Sequence, residues 1–440
     1  MSLIVCYNNS ALSEAALKED IMDVRQLMQE LAASSRRAAR TLTTASGQSK
    51  SRALLTLAAK LRDNETALLE VNDQDVQAAR AQGLDTARID RLTLTPEIVA
   101  SMAQACEHVA GLSDPVGSID SMTKRPNGML VGRMRIPLGV VAMIFESRPN
   151  VTIDAGILCI YAGNSLILRG GSEAYRSNQA LAGLFSQALI DTGLPAEAVQ
   201  LVPTTDREAV TAMLHLDEYI DVVIPRGGEG LIRAVVQEAR MPVLKHYKGV
   251  CHLYADEHLD LEQAVEIIEN SKVQRPGVCN ALECLLVHSS RAEELLPAVA
   301  ERLGPQGVEF RADSRSLKLL GTWAIPAQPE DFGQEFHSLI LAVKVVDSQE
   351  EAQAHIAAFG SNHTEGILTR DHDRAMRFVR EVDASLVTVN ASTRFNDGGQ
   401  LGLGAEIGIS TSKLHSYGPM GVRELTTTKF VLLGQGQVRT

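Results

Sequence analysis

The chain has 440 residues, of which 45% are hydrophobic and 22% charged, and its 54 acidic and 42 basic residues leave a formal charge of −12. This composition is close to that of an average globular protein and excludes a disordered, collagen-like or membrane-bundle chain. The length predicts two or three domains. No apolar run reaches the ~20 residues that span a bilayer, and the excess of acidic residues argues against nucleic acid as the main partner.

The chain up to about residue 110 is predicted to be helical. Residues 1–30 fit an N-terminal extension or a first helix. Four apolar side chains further on recur at the spacing of one helix face: Leu54, Leu57, Ala58 and Leu61. Asn64 is placed to cap the next helix, over residues 65–80, and Pro96 to stand in the first turn of another.

A change of pattern near Ser118 predicts a β-ribbon. Apolar and basic residues alternate over residues 130–136, which is typical of an exposed strand. Such a strand is suited to a contact between subunits, and so is the run over residues 429–433 near the C-terminus. The two segments together predict a homo-oligomer, either a dimer or a tetramer.

Short apolar strands then alternate with helices, which predicts a parallel sheet covered on both faces. The five predicted strands are residues 139–145, 165–168, 199–202, 220–224 and 243–246. Right-handed connections make this a doubly wound, Rossmann-like domain. A second series of helices and strands, over residues 261–389, predicts another α/β domain, and the two meet near residues 247–260.

The six cysteines form neither a disulfide framework nor a zinc pattern. None belongs to a C-x-x-C pair, and the first residues lack the basic segment of a secretory signal. His246 and His252 flank Cys251, but this spacing is not a recognised ligand set, so we predict no metal. A reducing, cytoplasmic location is therefore expected.

Two glycine turns stand between a strand and a helix, although the G-x-G-x-x-G fingerprint is absent from both. Their residues are Arg169, Gly170, Gly171 and Ser172 after the second strand, and Arg226, Gly227 and Gly228 after the fourth. Backbone N–H groups at a helix N-terminus favour phosphate, whereas ordinary turn chemistry accounts for the same glycines, and both explanations stay open. Arg169 ends a strand, where it is placed to meet a 2′-phosphate and to favour NADP over NAD.

Two further segments carry chemistry. Cys279 follows a Pro-Gly turn, and we expect it to begin a short helix, where the thiolate form is favoured and the sulfur is exposed. A buried, unreactive cysteine is the alternative. The loop after residue 389 is rich in small and polar residues, which suits either a substrate pocket or a long surface loop. Within it, the planar fork of Arg394 is suited to holding a carboxylate or a phosphate.

Several strings of residues carry a family resemblance. They are PLGVVAMIFESRPNVT (137–152), AGNSLILRGGSE (162–173), IPRGG (224–228), QRPGVCNALE (274–283), VNASTRF (389–395), GAEIGIST (404–411) and GPMG (418–421). The first two resemble the aldehyde dehydrogenase superfamily, and the whole chain over roughly residues 30–440 resembles its gamma-glutamyl phosphate reductase family more closely. One departure is Tyr417, which stands where the family is expected to carry arginine. It bears on an anion contact there and not on the reaction.

The resemblance implies an aldehyde-dehydrogenase-like α/β fold and a domain plan. A Rossmann-like NADP-binding domain covers residues 1–248, with an oligomerisation ribbon at about 118–138. A catalytic α/β domain covers residues 249–394. Residues 395–440 return to the cofactor domain and provide an oligomerisation segment. The role of residues 1–25 is left open.

The resemblance also implies a reaction, in which NADPH reduces L-glutamyl 5-phosphate to L-glutamate 5-semialdehyde and phosphate, the second step of proline synthesis. Hydrolytic relatives need a glutamate on the strand that links the two domains, and residues 246–252 contain no carboxylate. This favours the phosphate-linked reductase over a hydrolytic or CoA-linked dehydrogenase. A silent scaffold is a third hypothesis, which the intact Cys279 and Asn150 argue against. Because the acyl phosphate is labile, docking on glutamate 5-kinase is a further expectation.

Residue roles follow from the same resemblance. Cys279 is the nucleophile, Asn150 helps to form the oxyanion hole, and Glu335 binds the nicotinamide ribose. The two glycine turns hold the adenosine side of the cofactor. Six residues are candidates for binding the carboxylate and phosphate of the substrate, against the acidic charge of the whole chain: Arg148, Lys272, Arg275, Asn390, Ser392 and Arg394.

Overall fold

The computed structural model describes residues 14–439 and divides into two compact α/β units. The first unit consists of the chain up to Ala110 together with Pro137–Pro225 and Ala234–Val243. The second consists of Gly111–Ile136, Arg226–Arg233 and the chain from Leu244 onward. Each unit is thus assembled from separate stretches of sequence, and the functional roles predicted for the domains stay predictions.

Helices and strands alternate along most of the chain. The helices are α1 (Glu14–Leu42), α2 (Gly47–Asp63), α3 (Glu65–Ala81), α4 (Thr86–Leu92), α5 (Pro96–Ala110), α6 (Val151–Tyr161), α7 (Tyr175–Asp191), α8 (Glu208–Leu214), α9 (Glu229–Glu238), α10 (Leu261–Val273), α11 (Ser289–Leu303), α12 (Leu317–Leu320), α13 (Gln349–Phe359) and α14 (His372–Glu381). The strands are β1 (Ile119–Lys124), β2 (Leu130–Pro137), β3 (Val140–Phe145), β4 (Ser165–Gly170), β5 (Val199–Leu201), β6 (Val222–Arg226), β7 (Cys251–Ala255), β8 (Leu282–His288), β9 (Glu309–Ala312), β10 (Ala324–Pro326), β11 (Ile340–Val346), β12 (Thr364–Leu368), β13 (Leu386–Val389), β14 (Ile409–Ser410), β15 (Gly418–Pro419) and β16 (Thr426–Leu433).

The helical start of the first unit confirms most of the sequence prediction. The four apolar residues of the predicted face, on α2, are all buried. Pro96 opens α5, where its missing N–H costs nothing. Asn64 stands at the N-cap of α3, as predicted, but its side chain makes no capping bond to that helix. Its side chain donates to the Lys60 carbonyl oxygen at 2.8 Å, because Asn64 alone separates α2 from α3 and its amide serves the last turn of α2. The predicted start of the chain, residues 1–13, lies outside the described residues.

The sheet of the first unit has the strand order β5-β4-β3-β6, and β3, β4 and β5 pair in parallel. All six side chains of β3 are buried, so both faces of the sheet are covered, as predicted. The fifth predicted strand, residues 243–246, is wrong. Only one bridge forms, between Val223 and Val243, because Pro242 has no N–H for a ladder and the chain then leaves for the second unit.

The second unit is built on a seven-stranded parallel sheet with the order β10-β9-β11-β8-β7-β12-β13. Its core has two parts because alternate side chains of each strand point to opposite faces. Leu253 and Leu285 belong to the cluster that also contains apolar residues of α10 and α11. Tyr254 and Leu286 belong to the cluster completed by α13 and α14.

A small three-stranded sheet, β1-β2-β16, belongs to the same unit. The predicted strand over residues 130–136 is confirmed as β2, and residues 429–433 lie within β16. Phe430, Leu432 and Leu433 are 71%, 57% and 53% exposed, although each is strongly apolar. Among residues 14–439, no helix is both long enough and apolar enough to cross a membrane.

Candidate active site

Cys279 lies in the turn between α10 and β8. Residues 276–280 form turns and the strand begins at Leu282, so the helix predicted to start at Cys279 is wrong. The chain reverses at Pro276 and Gly277 and runs directly into the sheet, which leaves no room for a helix. Of the five cysteines that the structure describes, Cys279 is the one that is only partly buried. Solvent access makes it the candidate reactive thiol.

The segment before β7 supports the backbone of Cys279. A Cβ atom added to Gly249 would lie 2.0 Å from the Cys279 carbonyl oxygen, so only glycine fits there. Cys251 donates its S–H to the same oxygen at 3.1 Å. Burial raises the pKa of Cys251, so it stays a thiol that can donate. Sequence patterns identified Cys279 but not Gly249, because the contact between Gly249 and the Cys279 backbone depends on the pairing of β7 with β8.

Two histidines stand beside the thiol. One nitrogen of His246, one nitrogen of His363 and the Cys279 sulfur all lie within 4.8 Å of one another. The two rings meet edge to face, with centroids 5.6 Å apart. His246 had been considered only as a metal ligand with Cys251, and His363 was missed because it is distant in sequence. Its place one residue before β12 was the only signal for it.

Glu335 lies near the same group. Burial alone would raise the pKa of its carboxyl, but hydrogen bonds from His337 and from the Gly249 N–H, together with the charge of His246, lower that pKa. Glu335 is therefore an ionised carboxylate close to His246. Its predicted contact with a nicotinamide ribose stays a prediction.

Lys272 is not placed to meet a substrate. It is fully buried, and its ammonium group lies 2.6 Å from the equally buried carboxylate of Glu283. A second hydrogen bond, of 2.8 Å, joins its Nζ to the Leu282 carbonyl oxygen. Burial lowers the pKa of Lys272 and raises that of Glu283, and the ion pair opposes both shifts. The pair ties α10 to β8, the two elements that flank the Cys279 turn, and we omit Lys272 from the substrate-binding residues.

The loop after β13 lies against the Cys279 turn. Asn280 donates to the Asn396 carbonyl oxygen at 2.9 Å, and Ser392 lies 3.0 Å from Ser271 of α10. Burial lowers the pKa of Arg394, which lies near both Arg275 and Cys279. The structure thus brings Arg394 close to the thiol, with Arg275, a second predicted anion-binding arginine, beside it.

Asn390 has a structural role in the same loop. Its amide donates to the Thr369 carbonyl oxygen at 2.7 Å and accepts the Thr369 N–H at 2.8 Å. These two bonds join the ends of β12 and β13. A contact between Asn390 and the substrate stays a prediction.

The turns at the carboxyl ends of β3 and β4 make the candidate phosphate site of the first unit. Both predicted glycine turns do precede helices, since a 3-10 turn at Ser172–Ala174 leads into α7 and α9 begins at Glu229. Ser147 donates its N–H and its hydroxyl to Glu173 at 2.8 and 2.6 Å, which ties the two turns together. Its φ of 41° marks a tight, strained turn.

Arg169 and Asn150 frame that site. The Arg169 guanidinium donates to the carbonyl oxygens of Gly170 and Thr205, and its buried Nε has no partner among the described residues. Asn150 precedes α6 and donates to Asp154 at 2.8 Å. Arg148 lies in the same turn as Ser147. Arginines and backbone N–H groups at helix starts fit a dinucleotide phosphate.

Comparison with known proteins identifies the family. Residues 14–313 match the model of the aldehyde dehydrogenase family. A relative from Oleidesulfovibrio alaskensis, named gamma-glutamyl phosphate reductase, is 64% identical over 95% of this chain and 100% of its own length. The chain belongs to the aldehyde dehydrogenase family and, within it, to the gamma-glutamyl phosphate reductases. The crystal structure of the gamma-glutamyl phosphate reductase of Thermotoga maritima is 44% identical, covers 94% of this chain and 100% of its own, and has a TM-score of 0.91.

An acetylating aldehyde dehydrogenase from Geobacillus thermoglucosidasius, 17% identical with a TM-score of 0.71 over 96% of this chain and 99% of its own, shares the fold alone. The predicted fold class is therefore confirmed. At Tyr417, where we expect gamma-glutamyl phosphate reductases to carry arginine, the hydroxyl donates to Asp383 at 3.1 Å. That carboxylate also binds Lys413 at 2.6 Å. Tyr417 thus belongs to a cluster built around a carboxylate.

Proposed function

We propose that the protein reduces L-glutamyl 5-phosphate to L-glutamate 5-semialdehyde and phosphate with NADPH, and that Cys279 carries the glutamyl group as a thioester. The observation that carries the proposal is the partly exposed thiol, whose backbone is fixed by Gly249 and Cys251. The named activity of relatives up to 65% identical supports the substrate. This reduction belongs to proline biosynthesis.

Cys279 acts first, as the nucleophile. Its thiolate attacks the carbonyl carbon of the acyl phosphate, the carbon–oxygen bond to phosphate breaks, and a thioester remains. NADPH, when bound at the two glycine turns and Glu335, would supply the hydride that reduces this thioester. The thiolate then leaves and the aldehyde is released. The Asn150 amide and the Cys279 N–H are the proposed oxyanion donors, each typically worth about 3–4 kcal/mol.

Glu335 supports a phosphate-linked reaction over hydrolysis. A hydrolytic enzyme needs a carboxylate that accepts a proton from water, and a carboxylate with a lowered pKa is a poor general base. Glu335 has such a pKa because its oxygens are engaged by His337 and the Gly249 N–H. The neighbouring residues 246–252 contain no carboxylate. The thioester is therefore kept for reduction.

The basic side chains divide between substrate and cofactor. We propose that Arg275 and Arg394 hold the substrate anions near Cys279, with Arg148 as a further candidate. Ser392 is a less direct candidate because it is buried against Ser271. We assign the NADPH phosphates to the two glycine turns: Arg169, Gly170, Gly171 and Ser172, and Arg226, Gly227 and Gly228. We assign the nicotinamide ribose to Glu335.

Assembly and location complete the proposal. The exposed apolar side chains of β16 are the proposed contact of a homo-oligomer. A labile acyl phosphate favours direct transfer from glutamate 5-kinase, which comigration of the two proteins on a sizing column tests. Five free cysteines among the described residues, including the nucleophile, favour the reducing cytoplasm.

An absorbance assay of NADP reduction tests the function. Glutamate semialdehyde is supplied with and without phosphate to the wild type and to Cys279→Ala. Phosphate-dependent activity that is lost in the variant is the expected result. Activity without phosphate would select a hydrolytic dehydrogenase. Absence of activity in a folded protein that binds NADPH would remove the substrate assignment.

A further inference from the structure

Two histidines, His246 and His363, lie beside the Cys279 turn and have no role in the mechanism proposed so far. Cys279 and His246 are both partly buried. The Cys279 sulfur, one ring nitrogen of His246 and one ring nitrogen of His363 lie within 4.8 Å of one another. Thioester formation requires a thiolate, and the departing phosphate requires a proton. A histidine beside the thiol is suited to both transfers, since it gains and loses a proton near neutral pH.

The two histidines differ in what they can do. His363 is fully buried, and its Nδ1 lies 2.8 Å from the Thr364 hydroxyl and 3.7 Å from the Cys251 sulfur. Burial lowers the pKa of His363 to about 4, so its ring stays neutral at pH 7 and is a poor proton acceptor. His246 has solvent access and rests edge-on against the His363 ring. His246 is therefore the candidate proton carrier, and His363 positions it.

A carboxylate lies close to His246. It belongs to Glu335, and the charge of His246 is one of the causes that lower the pKa of this carboxyl. Other titratable and charged groups interact with Cys279, with the two rings or with Glu335 and Arg394 beside them: Cys251, Arg275, His337, Glu365, Arg394, Asp397, Glu406 and Arg226. Arg394, with Arg275 beside it, places positive charge near the Cys279 sulfur.

We propose that His246 takes the proton of the Cys279 thiol and returns it to the phosphate that leaves. The thiol loses its proton to the His246 ring, and the sulfur forms a bond with the acyl carbon. The carbon–oxygen bond breaks, and the phosphate oxygen receives the proton from His246. After hydride transfer the aldehyde departs and leaves Cys279 as a thiolate opposite a neutral His246, and a proton taken up from solvent restores the thiol for the next cycle. This role rests on the proposed function for the phosphate step, but not for the thiol step.

Alkylation of the thiol tests the first transfer without any substrate. The rate of carbamidomethylation of Cys279 by iodoacetamide is followed from pH 5.5 to 9.5 for the wild type and His246→Gln, with EDTA present to remove metals. Mass spectrometry assigns the alkylated residue. His258→Gln, an exposed histidine before α10, is the matched control. We expect slower alkylation of His246→Gln near pH 7 and equal rates at pH 9.5, where solvent removes the proton.

The pH profile separates this role from a structural one. If His246 only shapes the turn, the variant would react slowly at every pH, and the proposal would be overturned. An unchanged profile would overturn it as well. Thermal unfolding midpoints of all three proteins show that each is folded.

Steady-state kinetics test the second transfer. General acid–base catalysis contributes about 10²–10⁴-fold, so kcat of His246→Gln is expected to fall by that factor at pH 7 with little change in KM. The two proposals fail separately. If alkylation of His246→Gln slows near pH 7 as expected but the wild type shows no phosphate-dependent activity, the role of His246 stands and the substrate assignment fails. If His246→Gln keeps the full wild-type activity with phosphate, the substrate assignment stands and the role of His246 fails.

Discussion

The contact between Gly249 and the Cys279 backbone makes a quantitative prediction. In Gly249→Ala, the new methyl carbon would lie 2.0 Å from the Cys279 carbonyl oxygen and 2.8 Å from its Cα, whereas Cβ contacts in proteins are essentially never below 3.0 Å. The thiol turn must therefore retreat by about 1 Å. A misplacement of about 1 Å at a reacting group costs about 10²-fold in rate, or about 2.7 kcal/mol in the activation barrier. The same overpacking is expected to cost about 1–3 kcal/mol of stability.

Gly277→Ala is the matched control for this prediction. Gly277 lies in the same turn, two residues before Cys279, and a methyl group there would meet only the His337 carbonyl oxygen, at 3.8 Å. Both variants exchange glycine for alanine, but only one of them displaces the thiol. kcat/KM for semialdehyde oxidation, the alkylation rate of Cys279 and the free energy of unfolding in urea are measured for each.

Equal kcat/KM values for Gly249→Ala and Gly277→Ala would refute the reasoning, since the close approach would then have no consequence for the thiol. A loss of stability in Gly249→Ala with normal alkylation would show that the strain relaxes through β7 instead of through the turn. That outcome would also contradict the predicted misplacement of Cys279.

Three further predictions concern stability and assembly. Lys272→Met leaves the Glu283 carboxylate buried without its partner, and its free energy of unfolding in urea is expected to fall by about 3–5 kcal/mol. The double variant Lys272→Met/Glu283→Leu should recover most of this loss, because no unpaired charge then remains buried. Equal losses in the two variants would contradict the ion-pair account. Burial, with the charges of His252 and Lys344, lowers the pKa of His355 to about 3 from 6.5. Below pH 6.5 His355 therefore binds a proton in the unfolded chain but stays neutral in the folded protein. The free energy of unfolding consequently falls as the pH drops from 6.5 toward 3. His355→Phe should reduce that slope by up to about 1.4 kcal/mol per pH unit, and an unchanged slope in urea titrations would remove His355 as a cause. Phe430→Ser, at an exposed β16 ring, should weaken the proposed oligomer in light scattering after size exclusion, while the same change at the exposed Ile190 of α7 should not, and a wild type that is monomeric would contradict the proposal.

Sequence patterns predicted the elements that are mostly apolar. The bounds of α6 and β13 agree with the prediction, and those of β3 agree within one residue, because each is a short, mostly apolar run that ends at turn residues. β7 was missed, since its sequence CHLYA includes a histidine and a tyrosine. Both are fully buried, the tyrosine bonded to Asp256 directly after the strand and the histidine beside Glu365, a partner more than 100 residues away in the sequence.

The site was predictable only where the chemistry is local. Cys279 stands out by its Pro-Gly context, but its supports at residues 246–251 and 363 lie at the starts of β7 and β12, whose position beside the Cys279 turn a single sequence does not show. The interpretation of Lys272 as a substrate cation failed because nearness in sequence was taken for nearness in space. On α10, Ile268, Ser271 and Lys272 recur at the spacing of a buried helix face, and this spacing was the signal for a buried lysine.

The three-stranded sheet has a consequence for synthesis on the ribosome. Arg133 of β2 donates to Thr428 of β16, a residue 295 positions later in the chain. When β1 and β2 leave the exit tunnel, the edge that β16 will cover has no partner, and it stays open until almost the whole chain has been made. The unpaired N–H and C=O groups of an open strand edge can pair with a strand of another chain. Nascent copies of the protein are therefore expected to aggregate at this hairpin. The arginines of β2 put charge on that open edge, which opposes this aggregation until β16 has been made.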